Sequence, residues 1–248
     1  MSEIEKFQAE VRGNIQSLAQ DQDLQSLSRI WLREVGTHKY PYNFRWMGRP
    51  IIQCPQDIVA MQELIWEVKP DLIIETGIAH GGSLIFHASM LELLAQCGHG
   101  DGQVLGIDID VRAHNREAIE AHPMSRRIQM LQGSSIDAGI VEQVKRIAAG
   151  EQRVMVSLDS NHTHDHVLAE LQAYAPLTSV GSYCVVFDTA IEDMPQASFN
   201  DRPWGVGNSP KTAVHAYLGE HPEFVIDTDI QHKLLITVAP DGYLKRIA

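Results

Sequence analysis

The sequence predicts a doubly wound α/β fold, in which a mostly parallel sheet carries helices on both faces. Three observations favour it. Short apolar runs alternate with helical stretches from residue 71 to residue 187, a glycine-rich segment follows the first run, and a carboxylate ends the second. Nearly uninterrupted apolar runs are typical of parallel strands that are covered on both faces. We therefore expect a Rossmann-like sheet of seven strands with an N-terminal helical appendage.

The elements follow one another in a regular order along the chain. Near the N-terminus, apolar residues recur at helical spacing and predict an amphipathic helix. We assign residues 1–50 to a helical and lid segment and residues 51–248 to the main domain. The predicted strands are 71–75, 103–108, 128–132, 153–158, 182–187, 224–227 and 233–239, and the predicted helices of the main domain are 56–68, 83–95, 114–121, 140–149, 165–174 and 210–218.

Composition and charge limit the kinds of partner. The net charge of −12 opposes binding to nucleic acid or to anionic lipid. No apolar run approaches the roughly 18 residues of a membrane helix, and the N-terminus lacks the pattern of a signal peptide. We expect a cytoplasmic protein without membrane insertion that acts on a small molecule. The amphipathic N-terminal helix is compatible with a homo-oligomer.

The segment after the first strand is the first candidate for ligand binding, because ligands of open parallel sheets lie at the carboxyl ends of the strands. It reads Glu75-Thr-Gly-Ile-Ala-His-Gly-Gly-Ser83. Its glycines permit a tight turn and let the next helix begin close to a ligand. The predicted cofactor-binding residues are Glu75, Thr76, Gly77, Gly81 and Ser83, with Asp108 and Ser135 after the second and third strands.

Two carboxylates indicate which cofactor this edge accepts. Asp108 ends the second strand, where a carboxylate can accept both hydroxyls of an adenosine ribose, and Asp110 is the alternative. Glu75 stands where a dinucleotide site needs its first glycine. A carboxylate there suits the cationic S-adenosylmethionine better than a pyrophosphate. The residues favour S-adenosylmethionine, while a nicotinamide-dependent oxidoreductase and a glycine turn that merely starts a helix remain alternatives.

A second set of polar residues follows the fourth and fifth strands. Asp159 comes directly after one strand and Asp188 after the other. Two carboxylates at adjacent strand ends can hold one hard cation and leave positions open for a substrate hydroxyl. His162 is the candidate general base, since an imidazole titrates near neutral pH. We predict Asp159 and Asp188 as ligands of Mg²⁺ or another divalent cation, and His162 as the catalytic residue.

The histidines of the same segment leave a second metal hypothesis open. His162, His164 and His166 together permit a zinc or iron site, because imidazole is a common ligand of both metals. Against it, His164 and His166 stand where a helix begins, and residues two apart on a helix point in different directions.

Three segments carry a resemblance to a known family. These are the glycine-rich segment already quoted, Leu158-Asp-Ser-Asn-His-Thr-His-Asp-His-Val167 and Val185-Val-Phe-Asp-Thr189. From about Trp46 to the C-terminus, the chain resembles the cephalosporin hydroxylase and rhamnosyl O-methyltransferase family. The resemblance implies a class I methyltransferase fold, S-adenosylmethionine, a magnesium-type site and O-methylation of sugars or other secondary-metabolite scaffolds.

The same resemblance implies roles for individual residues. Asp159 and Asp188 match the metal-binding aspartates, His162 matches the base of the sugar O-methyltransferases, and Asp108 takes the ribose position. One departure is Phe187, because relatives often place a second acidic residue directly before the last aspartate. A non-catalytic cofactor-binding subunit therefore remains an alternative. The expected walls of the substrate pocket are residues 40–46 and 200–208.

Overall fold

A computed structural model describes all 248 residues of the protein. The helices are α1 (Glu3–Gln20), α2 (Gln22–Gly36), α3 (Pro55–Val68), α4 (Gly82–Gln96), α5 (Ala113–Glu120), α6 (Ala138–Ala148), α7 (His164–Tyr174), α8 (Pro210–Leu218) and α9 (Thr228–Leu234). The strands are β1 (Phe44–Trp46), β2 (Arg49–Ile51), β3 (Leu72–Thr76), β4 (Gln103–Asp108), β5 (Ile128–Gln132), β6 (Val154–Leu158), β7 (Tyr183–Val186), β8 (Phe224–Ile226) and β9 (Tyr243–Arg246).

Seven strands form the central sheet in the order β5-β4-β3-β6-β7-β9-β8. The first five strands of this order run parallel, whereas β9 lies antiparallel between β7 and β8. The winding reverses between β3 and β6, where Thr76 pairs with Leu158 at the carboxyl ends. This reversal places the expected ligand crevice at the ends of these two strands. The predicted fold is confirmed.

Alternate residues of the buried strands pack on opposite faces of the sheet, as the period of a strand requires. Ile73 contributes to the core beneath α3 and α4. Its neighbour Ile74 contributes to the core beneath α6, α7 and α8. Both faces are therefore covered, which accounts for the almost continuous apolar runs of the sequence.

The N-terminal segment contains two helices rather than one. The chain breaks at Asp21, whose side chain accepts a hydrogen bond from the backbone of Leu24 and caps α2. Helix α1 packs against α9. The aromatic stretch that follows forms a short antiparallel hairpin, β1–β2, in which Trp46 packs edge-on against Phe86 of α4. None of the helices has the length and apolar character needed to cross a membrane.

One predicted strand, residues 233–239, is wrong. The first part of this run lies in α9, the rest is irregular, and the last strand is β9. Leu235 has a positive φ of 58°, which ends the helix. Thr237 and the backbone of Val238 then donate hydrogen bonds to the buried Asp57, which holds the segment away from the sheet. A short apolar run does not distinguish a strand from other buried segments.

Candidate active site

The glycine-rich loop crosses the reversal point of the sheet in close contact with the loop after β6. Gly77 has a φ of +91°, and a Cβ atom there would lie 1.9 Å from the carbonyl oxygen of Asp159. The backbone of Asp159 in turn donates to the carbonyl of Thr76 over 2.9 Å. Only glycine fits this position, so the two strand ends form one continuous wall.

Glu75 points into the protein rather than into the crevice. The residue is 1% exposed, and its carboxylate accepts a hydrogen bond from the Ser83 hydroxyl. The Nδ1 atom of the buried His87 lies 2.9 Å from the other oxygen of Glu75, although off the line of a hydrogen bond. Glu75 therefore does not line the crevice, and only its charge and its hydrogen bond with Ser83 connect it to that space.

Asp108 orders the glycine-rich loop from the end of β4. One carboxylate oxygen accepts hydrogen bonds from the backbone of Ile78 and Ala79, over 2.8 and 3.1 Å. The other accepts from the backbone of Asp110 over 3.0 Å. The Asp110 side chain is 70% exposed, which disfavours it as the buried ribose ligand.

Two cavities adjoin this wall, and they share Gly77 and Ser160. The first, here called the Ser135 cavity, has a volume of about 140 Å³ and is also lined by Asp108, Ser135 and His166. The second, here called the site cavity, has a volume of about 250 Å³ and is also lined by Ser83, Asp159, His162 and Asp188. Three of the predicted cofactor residues line neither cavity. Glu75 and Thr76 are buried in the core, and Gly81 packs against Ile119 of α5.

The structure adds residues to the Ser135 cavity that the sequence did not assign to the cofactor. His166 Nε2 lies 3.1 Å from the Ser135 hydroxyl and 3.2 Å from the Ser160 hydroxyl. The Ser160 hydroxyl donates to the fully buried Glu170 over 2.6 Å. The sequence spacing of His166 and Glu170 could have predicted that they lie together, since residues four apart on a helix share a face.

Asp159, His162 and Asp188 come together in the site cavity. Their possible ligand atoms all lie within 4.8 Å of one another. His162 Nε2 lies 3.3 Å from Asp188 Oδ2, and the imidazole packs edge-on against Trp204. Asp188 has a φ of +56°, a strained conformation for a residue other than glycine, of the kind that is concentrated at functional sites.

The electrostatics of this group favour a bound cation. Burial raises the pKa of Asp159 well above its ordinary value, and the charge of Asp188 raises it further. No hydrogen bond offsets either effect. The two carboxylates offer the oxygen ligands that a hard divalent cation accepts, and a cation would relieve the repulsion between them. The residues therefore fit a metal of the magnesium type.

The alternative metal site of three histidines is not assembled. His164 is held by Asn208 and Thr212, whereas His166 faces the Ser135 cavity. Only His162 lies beside the two aspartates. Phe187 is 1% exposed in the core beneath α3 and α4, so this position offers no ligand atom to the site.

The sheet order, the glycine-rich loop after β3 and the carboxylate at the end of β4 together define a class I methyltransferase fold. The profile of the family described as Rhamnosyl O-methyltransferase/CmcI matches residues 38–247. The chain belongs to this family. The prediction of an O-methyltransferase that depends on S-adenosylmethionine is thereby confirmed.

Individual relatives agree with the family. The chain is 32% identical to a rhamnosyl O-methyltransferase of Mycobacterium tuberculosis, over 84% of this chain and 83% of the relative. It is 30% identical to that of Mycobacterium leprae, over 84% of this chain and 88% of the relative.

Solved structures share the fold. An apo-structure of CmcI matches with a TM-score of 0.56 and 20% identity over 84% of this chain and 77% of CmcI. A CmcI structure with Mg and SAM matches with a TM-score of 0.55 and 20% identity, over 84% of this chain and 78% of CmcI.

Proposed function

We propose that this protein transfers the methyl group of S-adenosylmethionine to a hydroxyl of a small molecule of the sugar or secondary-metabolite type, assisted by Mg²⁺ or another divalent cation. One observation carries the proposal. The Ser135 cavity and the site cavity meet at Gly77 and Ser160, with Asp108 at one end and the group of Asp159, His162 and Asp188 at the other. The two adjoining cavities thus lead from Asp108 to a group of residues that can bind a metal ion.

The chain would hold the cofactor along this crevice. Asp108 and Ser135 lie where they can receive the ribose and the adenine ring, and Ser83 lies towards the other end. Because the two cavities share Gly77 and Ser160 in their lining, a ligand can extend from one cavity into the other. S-adenosylmethionine, when bound, supplies a highly reactive methyl group, so the main task of these residues is to position it.

Asp159 and Asp188 would hold the divalent cation through carboxylate oxygens. Its charge, when bound, lowers the pKa of a neighbouring hydroxyl and so assists proton loss. The aspartates are prepared for this role, since both sit at strand ends and their mutual repulsion favours a positive charge between them. His162 would take the hydroxyl proton at Nε2, and Asp188, 3.3 Å away, would stabilise the resulting imidazolium.

Calorimetric titration tests the proposal directly. The unmodified protein, Asp159→Asn and the matched control Asp165→Asn, an exposed residue of α7, are titrated with S-adenosylmethionine, S-adenosylhomocysteine and NAD, with and without Mg²⁺. We expect the first two ligands to bind, NAD not to bind, and Mg²⁺ to bind to all but Asp159→Asn. Binding of NAD in preference to S-adenosylmethionine would overturn the proposal.

Three further predictions accompany this function. The cytoplasm as the location, a homo-oligomeric state and the division at residue 50 all stay predictions. The family profile begins at residue 38, within the predicted N-terminal segment. Size-exclusion chromatography with light scattering would determine the oligomeric state.

A further inference from the structure

A third cavity, here called the α2 cavity, opens beside the aspartates. It has a volume of about 330 Å³, which is within the range of small-molecule pockets. The C-terminal part of α2 forms one wall, and the segment after β7 forms another. Its lining includes the apolar side chains of Leu32, Val35, Ile191, Met194, Phe199 and Val238.

The α2 cavity and the site cavity are continuous in their lining but differ in chemistry. Both are lined by Pro41, Asp188 and Val238. The site cavity carries polar groups, among them Gln53, Ser83 and His162, whereas the lining of the α2 cavity is mainly apolar. A molecule with its hydroxyl beside Asp188 therefore has an apolar space directly next to it.

The wall formed by α2 lies outside the family-matched part of the chain. The family profile begins at residue 38, and α2 ends at Gly36. The residues that hold the aspartates and the glycine-rich loop all lie inside the matched part. The wall formed by α2 therefore belongs to the N-terminal segment, which precedes the family-matched part of the chain.

We propose that the α2 cavity receives an apolar group of the methyl acceptor, so that α2 selects acceptors whose hydroxyl is carried next to an alkyl or aryl substituent. This inference rests on the proposed function, because it places the reacting hydroxyl at Asp188. Transfer of apolar surface into such a cavity is favourable, and each buried methylene tightens binding about fourfold. Affinity should therefore rise with the length of the substituent until the cavity is full.

Gly36 offers a way to close the cavity without disturbing its surroundings. It lines the cavity, and a Cβ atom there would meet nothing within 4 Å. We expect a leucine at this position to extend into the cavity, since Gly36 is one of its lining residues. Gly13 of α1 is the matched control, since its Cβ would also meet nothing within 4 Å and it lies in a helix that does not line the cavity. Both substitutions replace a helical glycine and change helix propensity in the same direction.

The experiment measures binding rather than turnover. Methyl, butyl and hexyl rhamnosides are titrated by calorimetry into the unmodified protein, Gly36→Leu and Gly13→Leu, with S-adenosylhomocysteine and Mg²⁺ present. We expect the hexyl compound to bind at least ~10-fold more tightly than the methyl compound in the unmodified protein and in Gly13→Leu. In Gly36→Leu this preference should be lost, while the affinity for the methyl compound stays the same.

The possible results separate the inference from the proposed function. No dependence on chain length in the unmodified protein overturns the inference, and so does a preference that persists in Gly36→Leu. Absence of S-adenosylhomocysteine binding overturns the proposed function, and the dependence on chain length is still measured in that case. A preference confined to the unmodified protein and Gly13→Leu supports the α2 cavity as the acceptor site.

Discussion

Asp57 and Asp159 are both enclosed carboxylates with raised pKa values, yet their surroundings differ. Asp57 on α3 accepts hydrogen bonds from the Thr237 and Tyr243 hydroxyls and from the backbone of Val238. Asp159 has no such donors and faces the charge of Asp188 instead. Hydrogen-bond donors satisfy the carboxylate of Asp57 within the fold, whereas the repulsion between Asp159 and Asp188 is relieved by a proton or by a bound cation.

The largest expected effect is on the rate of methyl transfer, and it concerns His162 beside Asp159. His162→Ala should lower the rate of methyl transfer by about 10²–10⁴-fold, the usual contribution of a positioned general base. The melting temperature and the affinity for S-adenosylmethionine should change little, because the imidazole is a partly exposed lining group of the cavity. Release of S-adenosylhomocysteine measures the rate, with His215→Ala, an exposed histidine of α8, as the control. A variant with normal turnover would remove His162 from the mechanism.

The second prediction concerns the folding role of Asp57. Asp57→Ala should lower the free energy of unfolding by about 2–4 kcal/mol, because it leaves buried donors without an acceptor at about 1–3 kcal/mol each, partly offset by removal of a buried charge. Denaturant unfolding followed by circular dichroism measures this change. Asp57→Asn keeps one acceptor oxygen and should be milder. An alanine variant as stable as the parent would show that these hydrogen bonds contribute nothing net.

The third prediction is a pH dependence that belongs to Asp57. Burial raises its pKa from 3.8 to about 6, against the opposing effect of its hydrogen bonds. The folded state thus holds this proton more tightly than the unfolded state does. The resulting stabilisation, up to about 3 kcal/mol, is complete below pH 3.8 and is lost as the pH rises through about 6.

A comparison with Asp57→Asn isolates this effect. The stability of the unmodified protein relative to the variant should fall between pH 4 and pH 6.5, as measured by denaturant unfolding in the presence of EDTA. A constant difference across this range would contradict the raised pKa of Asp57.

The smallest expected effect is an increase in the free energy of unfolding, whereas Asp57→Ala should decrease it. In EDTA, Asp159→Asn should raise the unfolding free energy by about 1 kcal/mol, or about 2–4 °C in melting temperature, because it removes a carboxylate crowded by Asp188. Added Mg²⁺ should stabilise the unmodified protein, by about 1.4 kcal/mol at ten times its dissociation constant, but not the variant. A lower stability of Asp159→Asn in EDTA would assign Asp159 to the fold rather than to a metal.

The amino-acid sequence by itself determined the sheet and much of the candidate site. The first five strands of the central sheet were placed to within one or two residues, because strands covered on both faces read as apolar runs. Asp159 and Asp188 were expected to meet because neighbouring parallel strands end at the same edge, and the structure places them with His162 in one group. Their assignment as metal ligands and base stays a proposal.

Tertiary structure alone decided the features that depend on residues far apart in the chain. Asp57 and Thr237 are 180 positions apart in the chain. No local sequence pattern predicts the hydrogen bonds to Asp57 that hold residues 237–238 away from the sheet. The inward direction of Glu75 depends on Ser83 and His87, which only the packing of α4 places beside it. The α2 cavity exists because α2 and the segment after β7 meet beside Asp188. The hydrophobic periodicity of the sequence indicates which face of a helix or strand is buried. Which element covers that face depends on how the whole chain packs.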